Sequence, residues 1–122
     1  MVTEKESMDL VIKFETERTG KPPENVSGIK RLGYDLKSID NRCIEVKKRD
    51  VKYDFVFITD YEFRFFLKNK DAYLYVVFYD GEKTDIKMFD RDKVLTNLHD
   101  ATKRYRVHIN KAMKGNSKEK DL

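Results

Sequence analysis

The sequence predicts an α/β (α+β) fold with a mixed β-sheet, chiefly from the order of its elements. Apolar residues at helical spacing predict a first helix over residues 3–19, and a capping-box sequence that begins at Thr59 predicts a second. Apolar runs of strand length lie between and after these helices, over residues 34–39, 43–47, 55–58, 73–79 and 84–89. A chain in which helices interrupt a series of strands favours a sheet with helices packed on it.

The first helix is predicted from an apolar stripe that Leu10, Val11 and Phe14 form. Gly20 and the Pro22–Pro23 pair end it, because glycine favours the position after a helix and proline cannot continue one. The following residues, up to Gly33, are predicted to form a loop, since glycine, proline, asparagine and serine are frequent among them.

Among the strands, the one over residues 43–47 is the most informative because it alternates. Its apolar residues face one side of the sheet, while Glu45 and Lys47 face the other. The run over 55–58 is apolar on both faces, which predicts a central strand. Asp80–Gly81 predicts a hairpin between the two strands that flank it.

Two patterns compete near the end of the chain. Apolar residues between 94 and 105 fit one helical face, whereas Tyr105, Val107 and Ile109 alternate as in a strand. We favour a short helix over 91–98 followed by a strand over 104–109.

Length and composition favour one domain over residues 1–112, with a polar, flexible tail over 113–122. Charged residues make up 39% of the chain, compared with about 25% in a typical soluble domain, so the surface is unusually charged. Lysine and arginine number 26 against 22 aspartates and glutamates. The resulting net charge of +4 permits nucleic acid as a partner without requiring it.

The cysteine count and the apolar patterning bear on the compartment. The single cysteine, Cys43, excludes an intramolecular disulfide and a multi-cysteine zinc site. No apolar run approaches the roughly 20 residues that span a membrane, and the acidic, polar start is unlike a signal peptide. We therefore expect a cytoplasmic protein without a membrane partner.

A candidate active site is formed by Asp35 and, ten residues later, by Glu45-Val46-Lys47. Two carboxylates supply the hard oxygen ligands that Mg²⁺ prefers. A lysine beside them on one strand face can orient water and stabilise negative charge on a phosphate. The pattern therefore points to a metal nuclease. The alternative is an ordinary solvated strand face with a weak ion pair.

The loop between the two strands decides whether Asp35 and Glu45 share a face. A strict two-residue turn at Asp40–Asn41 would point Asp35 away from Glu45. A three-residue loop over 40–42 would place Asp35 opposite Lys47 and on the Glu45 face, and a bulge would have the same effect. We predict the odd-length loop, without which the metal-site hypothesis fails.

Seven short motifs occur together over about residues 10–80. They are Phe14-Glu15, Gly20-Lys21-Pro22, Asn25-Val26-Ser27, Gly33-Tyr34-Asp35-Leu36, Ile44-Glu45-Val46-Lys47, Thr59-x-x-Glu62 and Tyr73-Leu74-Tyr75-Val76-Val77. As a set they resemble the NO VEIN C-terminal domain family, a domain of unknown function. That family is itself similar to the PD-(D/E)XK nucleases. The resemblance implies a restriction-endonuclease-like core, a central mixed sheet flanked by helices.

The resemblance also implies roles for matching residues. Asp35 and Glu45 would hold a divalent cation, Mg²⁺ or Mn²⁺, and the carbonyl of Val46 would assist. Lys47 would be the catalytic lysine.

Further acids match the family's pattern. Glu15 on the first helix would match the helix acid and bind the metal through water, and Glu17 is the alternative for that role. Thr59 and Glu62 match as a pair, which either caps the second helix or contributes to the site.

Positive charge is concentrated in two places that would suit a DNA backbone. Lys48 and Arg49 follow the lysine of the motif, where the family often has glycine or a small residue. Arg104 and Arg106 would share one face of the last strand. In both places the alternative is an ordinary solvated surface.

The leading hypothesis is a metal-dependent nuclease domain that hydrolyses DNA phosphodiester bonds. The alternative is a non-catalytic module that keeps the fold and binds DNA or another protein, and a structural subunit would bind neither metal nor DNA. Related domains are often attached to helicases, so a homodimer or a larger helicase–nuclease assembly is expected. Archaeal Holliday-junction resolvases are similar in size and fold type. Their glycine- and serine-rich approach to the first aspartate is not evident here, so that activity is not carried over.

Overall fold

Runs of two to four strands separate and follow the helices in the computed structural model, which describes residues 1–101 and 104–113. Their bounds are α1 (Glu4–Thr19), β1 (Glu24–Asn25), β2 (Leu36–Lys37), β3 (Cys43–Asp50), β4 (Phe55–Ile58), α2 (Asp60–Lys68), β5 (Ala72–Asp80), β6 (Lys83–Asp90), α3 (Arg91–Thr96), β7 (Leu98–Ala101) and β8 (Arg104–His108). A helical turn over 109–113 follows β8.

Two sheets form the framework of the molecule. The larger has the order β1-β2-β3-β5-β6, with β3 parallel to β5 and the other neighbours antiparallel. The smaller is antiparallel and has the order β4-β8-β7. The connection between β3 and β5 contains β4 and α2, because parallel neighbours need a long crossover. The predicted mixed sheet flanked by helices is confirmed.

Buried apolar clusters cover both faces of the larger sheet. On one face α1 packs on the sheet through a cluster that includes Val11, Leu36, Ile44, Tyr75 and Val77. On the other face α2, α3 and the smaller sheet contribute to a second cluster, which includes Phe66, Leu74, Val76, Val94 and Val107. Burial of these side chains is the main force that stabilises the fold. It holds β3, the strand with the alternating motif, between two packed layers.

Capping boxes start the two longer helices. The predicted box at the start of α2 is confirmed, with the Thr59 side chain accepting the Glu62 amide and the Glu62 side chain accepting the Thr59 amide. Thr3 and Glu6 form the same arrangement at α1. Gly20 ends α1 in the left-handed conformation, with a φ of 84°. The helix bounds follow these local signals.

The prediction that residues 55–58 form a central strand is wrong. Strand β4 pairs with β8 and lies at an edge of the smaller sheet. Val56 and Ile58 face the core, whereas Phe55 and Phe57 are half-buried on the outer face. The strand is apolar on both faces because its outer rings pack with each other, at 5.3 Å between centroids, and not because a layer covers them.

The end of the chain follows the helix-then-strand prediction. Helix α3 occupies most of the predicted range 91–98, and β8 falls within the predicted 104–109. Strand β7 was not predicted, and it begins two residues after α3 ends. The predicted tail over 113–122 lies outside the described residues from 114 onward. Among the described residues, no helix is long and apolar enough to cross a membrane.

Candidate active site

The hairpin between β2 and β3 sets the face on which Asp35 lies. Leu36 pairs with Ile44, so Asp35 stands one step earlier, opposite Glu45. The Ser38 amide donates to the Arg42 carbonyl at 2.9 Å, which leaves residues 39–41 as a three-residue loop. The predicted odd loop length is confirmed, although the loop begins one residue earlier than predicted. Asp35 therefore lies opposite Glu45 and not opposite Lys47.

The Asp35 side chain continues the hydrogen bonding where β2 ends. Its backbone amide donates to the Ile44 carbonyl at 2.8 Å, which is the last contact of the ladder. Its carboxylate then accepts the Val46 amide at 2.9 Å. An otherwise unpaired edge amide is satisfied, and the carboxylate is fixed beside β3.

Gly33 makes the approach to Asp35 feasible. Its φ of 93° suits glycine, and a Cβ at this position would lie 2.8 Å from the Cβ of Phe65. The ring of Tyr34 stacks on Phe65 of α2, with 4.8 Å between centroids. Helix α2 thus packs against Gly33 and Tyr34, the two residues that precede Asp35.

Glu45 is a buried carboxyl group with like charges beside it. Only 5% of its surface is exposed. Burial raises its pKa to about 10, with the nearby Glu62 and Asp35 carboxylates and a hydrogen bond with Asp35 adding to the rise, while Lys47 opposes it. Without a cation Glu45 therefore holds a proton at neutral pH.

Lys47 stands between two carboxylates. Its Nζ lies 3.5 Å from Glu45 Oε1 and 3.1 Å from Glu62 Oε1. Burial alone would lower the pKa of Lys47, but the two glutamates outweigh burial and raise it. Glu62 thus caps α2, as predicted, and its carboxylate also forms an ion pair with Lys47.

A cleft of about 350 Å³ opens beside these groups. Its lining residues are Glu4, Ser7, Met8, Asp35, Glu45, Val46, Lys47 and Lys48. A more open groove of about 570 Å³ lies between the start of α1 and the β5–β6 turn, but its charged residues, Glu6, Asp9, Lys13 and Glu82, are all exposed and it holds no buried acid. The smaller cleft is therefore the candidate active site.

Glu15 is not among the residues that line this cleft. Its buried carboxylate accepts hydrogen bonds from Arg18 at 2.6 Å and from the Tyr75 hydroxyl at 2.8 Å. Its alternative, Glu17, is exposed on the same helix. The acid of α1 that lines the cleft is Glu4, in the first turn. The signal in the sequence that could have identified it is the acidic start of the chain, which we used only to argue against a signal peptide.

The predicted DNA contacts are distributed over two places. Lys48 lines the cleft, and its Nζ donates to the Val2 carbonyl at 2.9 Å. Arg49 follows on β3, and Arg106 lies on β8. The side chain of Arg104 is outside the described part of the chain. Within residues 1–101 and 104–113, no three histidine, cysteine, aspartate or glutamate side chains form a group that could hold a metal ion.

Comparison with known proteins gives a family and a fold. The family described as "Protein NO VEIN, C-terminal" matches residues 3–89. Among solved structures, the Holliday junction resolvase Hjc of the archaeal hyperthermophile Archaeoglobus fulgidus is similar, with a TM-score of 0.51. The two chains are 21% identical, and the similarity covers 85% of each. The predicted restriction-endonuclease-like fold is thereby confirmed. Sequence comparison with curated proteins finds no significant match.

Proposed function

The chain belongs to the NO VEIN C-terminal family, and we propose that it is a metal-dependent nuclease that hydrolyses DNA phosphodiester bonds. The observation that carries this proposal is the meeting of Asp35, Glu45 and Lys47 at one cleft. A buried carboxyl group with a raised pKa, beside a second carboxyl group and a charged lysine, fits phosphate hydrolysis better than it fits a stabilising ion pair.

The donor set of the cleft fits a hard divalent cation such as Mg²⁺ or Mn²⁺. Asp35 and Glu45 would hold it, because a cation that displaces the proton of Glu45 would relieve the repulsion between the two carboxylates. The Val46 carbonyl points toward the same edge of β3 as its amide, which binds Asp35, so it is available as a third ligand. Glu4 in the cleft wall would bind through water.

The bound cation and Lys47 would then have different roles in hydrolysis. A bound cation supplies positive charge to the phosphate and lowers the pKa of its water. Lys47, held by Glu45 and Glu62, would orient the attacking water and stabilise negative charge on the phosphate. Glu45 and Glu62 raise the pKa of this partly exposed lysine, so its ammonium would stay charged.

Cations around the cleft would bind the DNA backbone. We assign this role to Lys48 in the cleft wall, to Arg49 and Arg106 farther along, and to Arg104 from sequence alone. Cleavage of two strands would require a second site, which a homodimer or a helicase–nuclease assembly would supply.

Nicking of supercoiled plasmid tests the proposal. Wild-type protein is expected to nick in Mg²⁺ or Mn²⁺ and not in chelator, and Lys47→Gln should lose this activity. Lys87→Gln is the matched control, because Lys87 forms an ordinary exposed ion pair with Asp85. Nicking that persists in Lys47→Gln would contradict the assignment.

Stabilisation by metal gives a second readout. Mn²⁺ should raise the melting temperature of wild type and of Lys47→Gln, but not of Glu45→Gln. DNA binding without nicking or metal binding would instead favour the non-catalytic module. Binding of neither metal nor DNA would favour a structural subunit.

A further inference from the structure

The outer face of the smaller sheet, together with the end of β3 and the turn after it, carries rings and cations where a solvated strand would carry mixed polar residues. Its members are Arg49, Tyr53, Phe55, Phe57, Arg106 and His108, which we name the aromatic–arginine face. The strand register places four of them side by side, since Phe55 pairs with His108 and Phe57 with Arg106, while Arg49 and Tyr53 contact the ring of Phe55. Their neighbours Val56 and Val107 point inward and are buried.

The arginines of this face are held by rings. The guanidinium carbon of Arg49 lies 4.2 Å from the ring centroid of Tyr53 and 4.6 Å from that of Phe55. That of Arg106 lies 5.4 Å from the Phe55 centroid. The Nε atoms of both arginines are buried without a hydrogen-bond partner, and neither forms an ion pair within the described part of the chain. Within the described residues no acid therefore offsets their charges, which would favour an anionic partner.

The rings of the face are exposed to solvent to different extents. Tyr53 is 42% exposed, and Phe55 and Phe57 are half-buried. Successive edge contacts connect Tyr53 to Phe55 at 6.3 Å and Phe55 to Phe57 at 5.3 Å. Aromatic groups next to free cations match a ligand that combines planar bases with phosphates.

The aromatic–arginine face is continuous with the candidate active site. Arg49 lies on the same face of β3 as Glu45 and Lys47, because strand side chains alternate. At about 3.3 Å per residue, Arg49 is roughly 13 Å beyond Glu45, on the order of three to four nucleotide steps. A strand that leaves the cleft in this direction would reach the face.

We propose that the aromatic–arginine face binds an unpaired segment of the nucleic acid that enters the cleft, with bases stacked on Tyr53, Phe55 or Phe57. This proposal rests on the proposed function, because the direction of the strand is defined by the cleft from which it leaves. A duplex does not fit, since its bases stack on each other and hide their faces. A second copy of this chain does not fit, because a two-fold contact would bring the unpaired arginines together.

Fluorescence anisotropy in chelator tests this, using a labelled 12-nucleotide single strand and the duplex of the same sequence. Phe55→Leu and Phe57→Leu keep apolar bulk and remove the stacking surface. Each is expected to weaken single-strand binding about 5- to 10-fold and duplex binding less than about 2-fold. Tyr61→Leu is the matched control, since Tyr61 is an exposed ring on α2 that is not a member of this face.

Other results would overturn the proposal. Unchanged single-strand affinity, or equal losses for single strand and duplex, would exclude stacking. A wild-type dimer that Phe57→Leu converts to a monomer would assign the face to a second copy. The nicking and binding assays together separate the two proposals. If wild type fails to nick but the leucine variants lose single-strand binding, the proposed binding face stands and the nuclease proposal fails. If wild type nicks but the leucine variants bind single strand as wild type does, the nuclease proposal stands and the proposed binding face fails.

Discussion

Glu15 and Glu45 are both buried carboxyl groups, on opposite sides of the larger sheet, and their surroundings are opposite in kind. Glu15 has two partners that compensate its charge and polarity, Arg18 and the Tyr75 hydroxyl. Glu45 has the carboxyl groups of Asp35 and Glu62 beside it, with one lysine to offset them. Burial alone therefore does not identify a functional acid; the partners of the acid do.

The surroundings of Glu15 extend into a closed network. Arg18 continues to Asp40 at 2.8 Å, and Arg42 donates to the Tyr75 hydroxyl at 2.8 Å. Asp40 also accepts a hydrogen bond from Ser38 in the hairpin loop. This network ties α1 to the loop that sets the register of Asp35. It stabilises the geometry of the site, whereas the cluster around Glu45 contains the groups that we propose to be catalytic.

Replacing each glutamate by glutamine is expected to give the largest contrast. Glu45→Gln should lower nicking at least about 100-fold, because a proposed metal ligand is lost while the fold stays. Glu15→Gln should keep wild-type nicking per folded molecule, since it leaves an acceptor for Tyr75. Plasmid nicking at matched folded fraction measures both, and equal losses in the two variants would contradict the division of roles.

Glu15→Ala should lower the free energy of unfolding by about 3 kcal/mol, because Arg18 and the Tyr75 hydroxyl both lose a buried partner. Urea denaturation monitored by circular dichroism gives the value. Glu45→Gln in chelator is the comparison, and we expect it to be at least as stable as wild type. A loss below about 1 kcal/mol for Glu15→Ala would show that the network is dispensable.

Gly33→Ala should destabilise the protein by about 2 kcal/mol, since alanine is strained at a φ of 93° and its Cβ would meet Phe65. Nicking should fall further than stability does, because Asp35 follows two residues later. Gly28→Ala is the control, as its added Cβ would meet nothing within 4 Å. Equal unfolding midpoints for the two variants would argue against the close approach.

The pH dependence of stability should separate the two clusters. The pKa of Glu45 is raised by burial from 4.5 to about 10, so folding takes up a proton between these values. Stability in chelator should therefore fall as the pH rises through this window, and Glu45→Gln should remove this part of the slope. Parallel pH profiles for wild type and variant would contradict the assigned titration.

Asp40→Asn should give the smallest effect, with the opposite pH dependence. The hydrogen bond from Arg18 holds the pKa of Asp40 below its usual range, so the stabilisation is present above the ordinary value of 3.8 and is lost in acid. The side chain is 43% exposed, so the loss at neutral pH should stay under about 1 kcal/mol. Thermal melts should show the difference from wild type shrinking as the pH falls below 3.8.

Local signals allowed most of the site to be predicted from the sequence. The alternation of β3 places Glu45 and Lys47 on one face, and the need for a shared face required an odd-length loop between Asp35 and Glu45. The exact loop differs because Asn41 adopts a left-handed φ of 72°, so the turn closes one residue earlier. That choice depends on hairpin geometry, which composition alone does not specify.

The parts that could not be predicted depend on tertiary placement. Glu15 and Glu4 are both acids of α1, and only the path of the helix across the sheet decides which one reaches the cleft. Likewise, the apolar run of β4 is equally compatible with a central strand and with an edge strand whose outer rings bind arginines. The sequence pattern is the same in both cases, because apolar side chains on both faces of a strand indicate that both faces are covered but not which groups cover them.

The half of β3 beyond the hairpin pairs with β5 alone within the described residues, from Val46 to Asp50. An open strand edge is a template for edge-to-edge aggregation, and proteins often protect such edges with charge. Lys47, Lys48 and Arg49 stand in succession on this edge, so two copies that approached along it would repel each other. The cations proposed to bind the DNA backbone would also keep the protein in solution, and selection for solubility would preserve them even in a copy that no longer cuts.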